Sequence, residues 1–325
     1  MASTRLTGEL LERVRACACA RVTRAPAVSY AALERSRGTL EDFARTYLPL
    51  HGLEPFDFMR FMPQLCFVEA AIYAADEENE RLAAGGALDR DGALSQSEAA
   101  IVGVLEAHGW LTESVRAHLR SGQTYWALER SVCRAMLTRD LVREADVLLA
   151  HELKSFDYRL LNALLYELRG LPPDQPTLDF LRVDELLTDI ADDLYDYEDD
   201  VVRGSFNVYR GFVHVYGAHE AQGRLAARIS DLEAQHAERL SALAPSAQRA
   251  FHTRMDEVFA RPGTRRWQLP TPIEDEHAYR ASALREEAMA ASRAAAAAAD
   301  CRGDGARPRD GAVLRRRGRS HALPA

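Results

Sequence analysis

Apolar and polar positions follow a helical period over most of this chain. Apolar residues recur at i, i+3 and i+4 in four long stretches: FMPQLCFVEAAIYAADEENERLA from Phe61, AAIVGVLEAHGWL from Ala99, TESVRAHLRSGQTYWALERSVCRAML from Thr112 and VREADVLLAHELKSFDYRLLNALLYELRG from Val142. That spacing gives each helix one apolar stripe to bury. Two-residue alternation is short wherever it occurs, so no strands are expected. Breakers fall between the periodic stretches. Gly85-Gly86 opens a polar segment that runs to Ser97, Gly170-Leu171-Pro172-Pro173 closes the fourth stretch, and Pro270 and Pro272 mark a late loop. No repeat of solenoid length is present. The pattern predicts an all-α, single-domain helical bundle of roughly 250 residues, with about ten helices. It occupies residues 36–285, between an N-terminal segment (1–35) and a low-complexity tail (286–325).

The two ends differ from the body. In the first 35 residues Leu6, Leu10 and Val14 recur at helical spacing among arginines, which predicts a leading helix. An Arg-rich start also fits an organelle transit peptide, but Glu9 and Glu12 are acids that such peptides avoid. A cytoplasmic protein is therefore expected, with organelle targeting as the alternative. At the other end, alanines lead into a segment with seven Arg and two Asp over residues 301–325, a basic tail expected to be disordered. The net charge is −8, so a tail of +5 leaves the body near −13. An acidic body argues against nucleic-acid binding and suits sites that collect divalent cations. No apolar run approaches the ~20 residues of a membrane-spanning helix. The cysteines, Cys17, Cys19, Cys66, Cys133 and Cys301, are odd in number and form no CxxC pair, so neither a disulfide framework nor a cysteine zinc site is expected. The phosphate-loop, dinucleotide, zinc-protease and serine-hydrolase motifs are absent. The histidines, His151, His214 and His219 among them, show no ligand-like spacing and read as helix-surface or core residues.

The most informative segment is DELLTDIADDLYDYEDDVVRGSFNVYRG, from Asp184, in which six of the nine residues from Asp192 to Asp200 are acidic. On a helical wheel with Asp192 at zero, Asp196 falls near 40°, Asp200 near 80° and Asp193 near 100°. Leu187, Ile190, Leu194, Tyr197 and Val201 gather at about 140–220°. One face packs and the other is a ridge of carboxylates. Like charges at i, i+4 repel, more so when partly buried. Such a ridge points at bulk water or is filled by cations. Mg²⁺ suits it, because it takes hard oxygen ligands and bridges one or two carboxylates to phosphates. A second acidic cluster, DEENE, lies upstream: Asp76 and Glu80 share a face one turn apart, with Glu77 beside them. Leu65, Ile72 and Tyr73 precede them on the same face, as an apolar pocket beneath a metal rim would require.

DDLYDYEDD followed by RGSFN resembles the second metal-binding motif of class I terpene synthases, (N/D)Dxx(S/T)xxxE, with Asp192, Asp196 and Asp200 at its ligand positions. Leu194 stands at the hydrophobic third position. Tyr197-Glu198, Arg203-Gly204 and Asn207 are similar to bacterial members of the family, and DEENE resembles their upstream DDxx(D/E) motif. The resemblance spans about residues 55–285 and implies the class I isoprenoid synthase fold. It also implies metal ligation by Asp76, Glu77, Glu80, Asp192, Asp196 and Asp200, with three Mg²⁺ ions expected and Mn²⁺ as a substitute. Arg159, Arg203 and Arg280 are the implied diphosphate ligands, Arg159 being preferred to Arg169 as the upstream sensor. Ile72 and Tyr73 would line the substrate pocket, with Trp126, Phe156 and Phe206 as further aromatics for a carbocation. The implied activity is a lyase of isoprenoid biosynthesis: Mg²⁺-dependent ionisation of a prenyl diphosphate such as farnesyl diphosphate to a terpene plus diphosphate, by a monomer or homodimer. Two alternatives stand beside it. One is a prenyl-chain-condensing synthase, which the unequal spacing of the two motifs disfavours. The other is a catalytically inactive helical binding or scaffold protein of the same fold, which the departures at Glu77, Asp196 and Asp199 favour.

Overall fold

The computed structural model describes residues 28–84, 95–259 and 267–303, and these are helical with no strand among them. The predicted leading helix at Leu6 to Val14, Cys17, Cys19, most of the Gly85-to-Ser97 segment and the basic tail beyond residue 303 lie outside the described residues. Helix α1 (Tyr30–Asp42) begins on Ser29, whose hydroxyl accepts from the Ala32 amide, and runs on through a wider π-turn (Phe43–Tyr47). Helix α2 (Phe58–Ala84) carries DEENE in its last turns. The chain resumes at α3 (Gln96–Ala107), whose start is set by a reciprocal capping box between Ser95 and Glu98.

Helix α4 (Glu113–Thr138) matches the third periodic stretch almost residue for residue. The fourth stretch does not stay whole. It is expected as one helix, but the chain bends at Ser155 (φ −85°, ψ 35°) into α5 (Glu144–Lys154) and α6 (Phe156–Arg169). No glycine or proline marks the break. The Ser155 hydroxyl instead donates to Asp189, 2.7 Å away on another helix. Helix α6 ends as expected on Gly170, in the left-handed conformation that glycine adopts without strain.

The acidic segment is likewise two helices. Helix α7 (Gln175–Tyr195) and α8 (Tyr197–Arg203) meet at Asp196 (φ −91°, ψ 6°). The hydrogen-bond ladder survives the joint, because the Asp196 amide donates to the Asp192 carbonyl and the Asp200 amide to the Asp196 carbonyl, each at 2.8 Å. Asp192, Asp196 and Asp200 therefore keep a one-turn spacing. Gly204 then closes α8 at φ 77°, and Asn207 caps α9 (Val208–Ala242). Helix α9 kinks at Gly217 (φ 75°, ψ 163°). Helix α10 (Pro245–Phe259) follows, and a strap of irregular chain from residue 267 leads into α11 (Glu276–Gly303). Helix α11 crosses the expected boundary at residue 286.

The core explains the arrangement. Helix α6 is its axis: Leu160, Leu161, Leu164 and Leu165 are fully buried, so this helix is covered on nearly all sides. Helices α4 and α5 pack together, as do α4 and α6, α1 and α2, and α7 and α9. No described helix is long and apolar enough to cross a membrane.

Candidate functional site

The two acidic segments lie on separate helices, the first on α2 and the second across α7 and α8. On α2 the Asp76 carboxylate accepts from the Trp126 indole of α4 at 3.2 Å. Arg35 of α1 reaches Asp76 (3.5 Å), Glu77 (3.0 Å) and Glu80 (3.9 Å), with its guanidinium over the Tyr73 ring. Asn79 is buried and ties α2 to α4, donating to Glu129 at 2.8 Å while its carbonyl oxygen accepts from Arg130. On the other side, Asp200 accepts from the Asn207 amide group at 2.9 Å, and the same amide group bonds the Asp193 carbonyl oxygen. Asp192 and Asp196 are half-buried and face outward beside it.

Side chains between the two motifs link them electrostatically. Asp157, at the start of α6, acts on Asp76 of α2 and on Asp189 of α7 alike. Glu129 of α4 senses both Asp76 and Lys154, and Lys154 of α5 senses Asp189, Asp192 and Asp193. Below this ring runs a row of aromatic contacts. Trp126 meets Phe156 edge-on (5.2 Å between centroids), Phe156 meets Tyr125 (6.4 Å), and Tyr125 meets Phe206 edge-on (6.3 Å). Trp126 thus hangs from the first motif, and Phe206 adjoins the Asn207 that holds the second.

The charge crowded here is poorly hydrated. Burial, with Glu80 and Asp157, pushes Asp76 up to about 6 against the opposing effect of Arg35. Burial, with Asp76, pushes Glu129 up to about 8. Burial also takes Asp189 and Asp200 to about 7, with the Asp193 charge adding to both. Each shift records a carboxyl group short of positive charge. Nearby, Glu185 leaves Oε1 without a hydrogen-bond partner, and buried Glu69 leaves both oxygens so.

These residues fit a hard divalent ion by the chemistry of their donors, which are carboxylate oxygens throughout. Among the described residues, no three side chains of the His, Cys, Asp or Glu type stand close enough to hold one ion by themselves. Ions here would be shared between one or two carboxylates and a phosphate-bearing ligand, which is the usual mode of Mg²⁺.

The expected cationic residues are placed less uniformly. Arg159 donates to Glu185 (2.9 Å) and to the Leu153 carbonyl (3.1 Å), within the interior. Arg280 donates to the Val201 carbonyl and to Glu276. Arg203 is exposed and 3.9 Å from Asp199. The structure does not gather these three arginines at one point. Ile72 is buried and Tyr73 half-buried, one turn before Asp76 on α2. Ile72 lines a void of about 10 Å³ with Ile101, Leu119, Gln123, Trp126 and Phe156. That is room for about one water molecule, so a prenyl chain would have to part these side chains. A larger open groove of about 460 Å³ at the Gly217 kink is lined by none of the motif residues.

The pattern of the sequence missed several members of the site. Lys154 is the only lysine beside forty arginines, a signal in plain view. Glu129 shares the α4 face with buried Tyr125 and Trp126 and was legible as an acid on an apolar stripe. Arg35 and Asp157 carry no such mark, because only the packing of α1 and α6 brings them near the motifs. Comparisons with protein-family models, with curated proteins and with solved structures find no match to this chain.

Proposed function

We propose that this protein is a class I terpene synthase of the isoprenoid synthase fold, acting on a prenyl diphosphate such as farnesyl diphosphate. One observation carries the reading: two carboxylate motifs on separate helices adjoin the two ends of an aromatic row, Asp76 through Trp126 and Asp200 through the Asn207 beside Phe206. Diphosphate chemistry needs the carboxylates, and an allylic cation is stabilised by aromatic faces by roughly 0.5–2 kcal/mol.

Asp76, Glu77 and Glu80 on α2, with Asp192, Asp196 and Asp200 on α7 and α8, would hold Mg²⁺. With the ions bound, the charge that develops on the diphosphate as the C–O bond breaks is neutralised. The chain's own residues supply the rest. Arg203, exposed at the rim, can turn to the diphosphate. Arg35 can exchange its carboxylates for phosphate oxygens once the ions take its place. Trp126, Phe156, Tyr125 and Phe206, once parted by the prenyl chain, would wall it and exclude the water that quenches a cation.

A second reading rests on Arg35, whose ion pairs with all three acids of the first motif offset part of their charge without any metal. It makes the protein a helical binding protein of the same build that does not ionise its ligand. The test is incubation with ten-, fifteen- and twenty-carbon prenyl diphosphates, with Mg²⁺ or with chelator, followed by gas chromatography–mass spectrometry and a binding isotherm. The synthase gives a Mg²⁺-dependent hydrocarbon or terpene alcohol, lost in D76N and D192N. Mg²⁺-dependent binding without product favours the second reading, and neither binding nor product ends both.

A further inference from the structure

Lys154 closes α5 and is the only lysine of the chain, where every other cationic side chain except histidine is an arginine. Its side chain is 22% exposed, and its ammonium donates to Asp193, which is 2% exposed. The other oxygen of Asp193 accepts from the Val208 amide at the first residue of α9. Through one carboxylate, Lys154 therefore joins the end of α5, the last turn of α7 and the start of α9. The charged groups facing it come from two further elements as well as α7: Asp189 and Asp192 on α7, Glu129 on α4 and Asp200 on α8, with His151 on its own helix. Burial works against its charge, but Asp193, Asp189 and Asp192 outweigh burial and hold the ammonium well above its ordinary value.

We infer that Lys154 is the built-in counter-cation of the α7 carboxylate ridge, a positioning residue that acts through Asp193 to keep Asp192, Asp196 and Asp200 docked on the bundle before any metal arrives. The inference builds on the reading of that ridge as a cation-binding surface, and it does not depend on the substrate. Two consequences follow from the chemistry. The seat takes a compact ammonium, so the broad planar guanidinium used everywhere else in the chain should fill it poorly. Because Lys154 already offsets part of the ridge's charge, folding leans less on a bound metal ion than it would without this lysine.

The test is thermal unfolding of the full chain in chelator and in millimolar MgCl₂, for wild type, K154M, K154R, D193N and K154M/D193N. Wild type should gain less in melting temperature from Mg²⁺ than K154M does. K154M should melt several degrees lower in chelator and regain much of the loss with Mg²⁺, which a purely packing role would not produce. K154R should fall below wild type although the charge is kept. D193N should cost less in the K154M background than in wild type. A K154M protein that melts like wild type overturns the inference, as does a loss that neither Mg²⁺ nor D193N relieves. If K154M does not fold, K154M/D193N decides: a folded double variant supports the pairing and an unfolded one overturns it. None of these readouts requires turnover, so failure of the synthase reading would be seen separately.

Discussion

Adjacent aspartates of one motif have different work. Asp192 is half-buried on the outward ridge, whereas Asp193 is buried and bonded to Lys154, the Val208 amide and, through its backbone carbonyl, Asn207. The wheel foreshadows this, because Asp193 falls at about 100°, on the border of the apolar face. Removing the charge from a buried pair leaves its partner uncompensated, at a cost of about 3–5 kcal/mol. We predict that D193N destabilises the fold by roughly 3 kcal/mol in urea unfolding, with or without Mg²⁺. D192N should leave stability within about 0.5 kcal/mol of wild type and abolish Mg²⁺-dependent turnover. Equal stability losses in the two variants would contradict this division.

Helix contacts set where the site residues stand. Gly122 of α4 and Gly211 of α9 mark the closest approaches. A Cβ at Gly122 would come within 2.4 Å of the Phe156 ring, and one at Gly211 within 2.5 Å of Val147. Overpacking of this kind costs about 1–3 kcal/mol. G122A should therefore lose about 1–3 kcal/mol in denaturant unfolding and also displace Phe156 from the aromatic row, whereas G211A should lose a similar amount by separating α9 from α5. A change in near-ultraviolet circular dichroism for G122A would report the aromatic shift. Element boundaries were legible where chemistry stands next to them in the chain: Ser95 with Glu98 for α3, Gly170 for α6, Gly204 and Asn207 around α8 and α9. The break at Ser155 was not, since its partner Asp189 is distant in sequence.

Across the whole molecule, one ion cluster fastens the C-terminal region. Arg210 is fully buried and grips Glu276 with two bonds of 2.7 and 2.8 Å, while His214 and Arg280 reach the same carboxylate. The strap before α11 is pinned by the Tyr209 hydroxyl to the Pro270 carbonyl (2.9 Å) and by the Ile273 amide to the Tyr197 oxygen (2.9 Å). Against the cost of burial, His214 and Arg210 pull Glu276 down to about 2 from an ordinary 4.5. A depressed carboxyl stabilises the fold above its unfolded value and ceases to do so as pH falls through the folded one. The loss should accumulate from about pH 4.5 towards 2 and amount to roughly 3 kcal/mol. E276Q should show that loss already at neutral pH and lack the acid limb in pH-dependent unfolding. Glu129, raised from 4.5 to about 8, has the opposite sign: its neutral form is favoured on folding, so it weakens the fold as pH rises through that interval. In chelator, E129Q should flatten the fall in Tm between about pH 4.5 and 8.

The sequence by itself determined the helices, because a 3.6-residue apolar period and local caps act within a few residues of chain. It also determined that Asp192, Asp196 and Asp200 form a ridge, because one-turn spacing is a property of the helix and survives the bend at Asp196. Only the tertiary structure decided what surrounds that ridge. It places Lys154 against Asp193, Asp157 within reach of Asp76 and Asp189, Arg35 over the first acids, and Arg159 and Arg280 on internal carboxylates. The reason is range. Helical periodicity acts between neighbours in the chain, whereas burial and charge compensation depend on which helices pack together and so bring distant residues into contact.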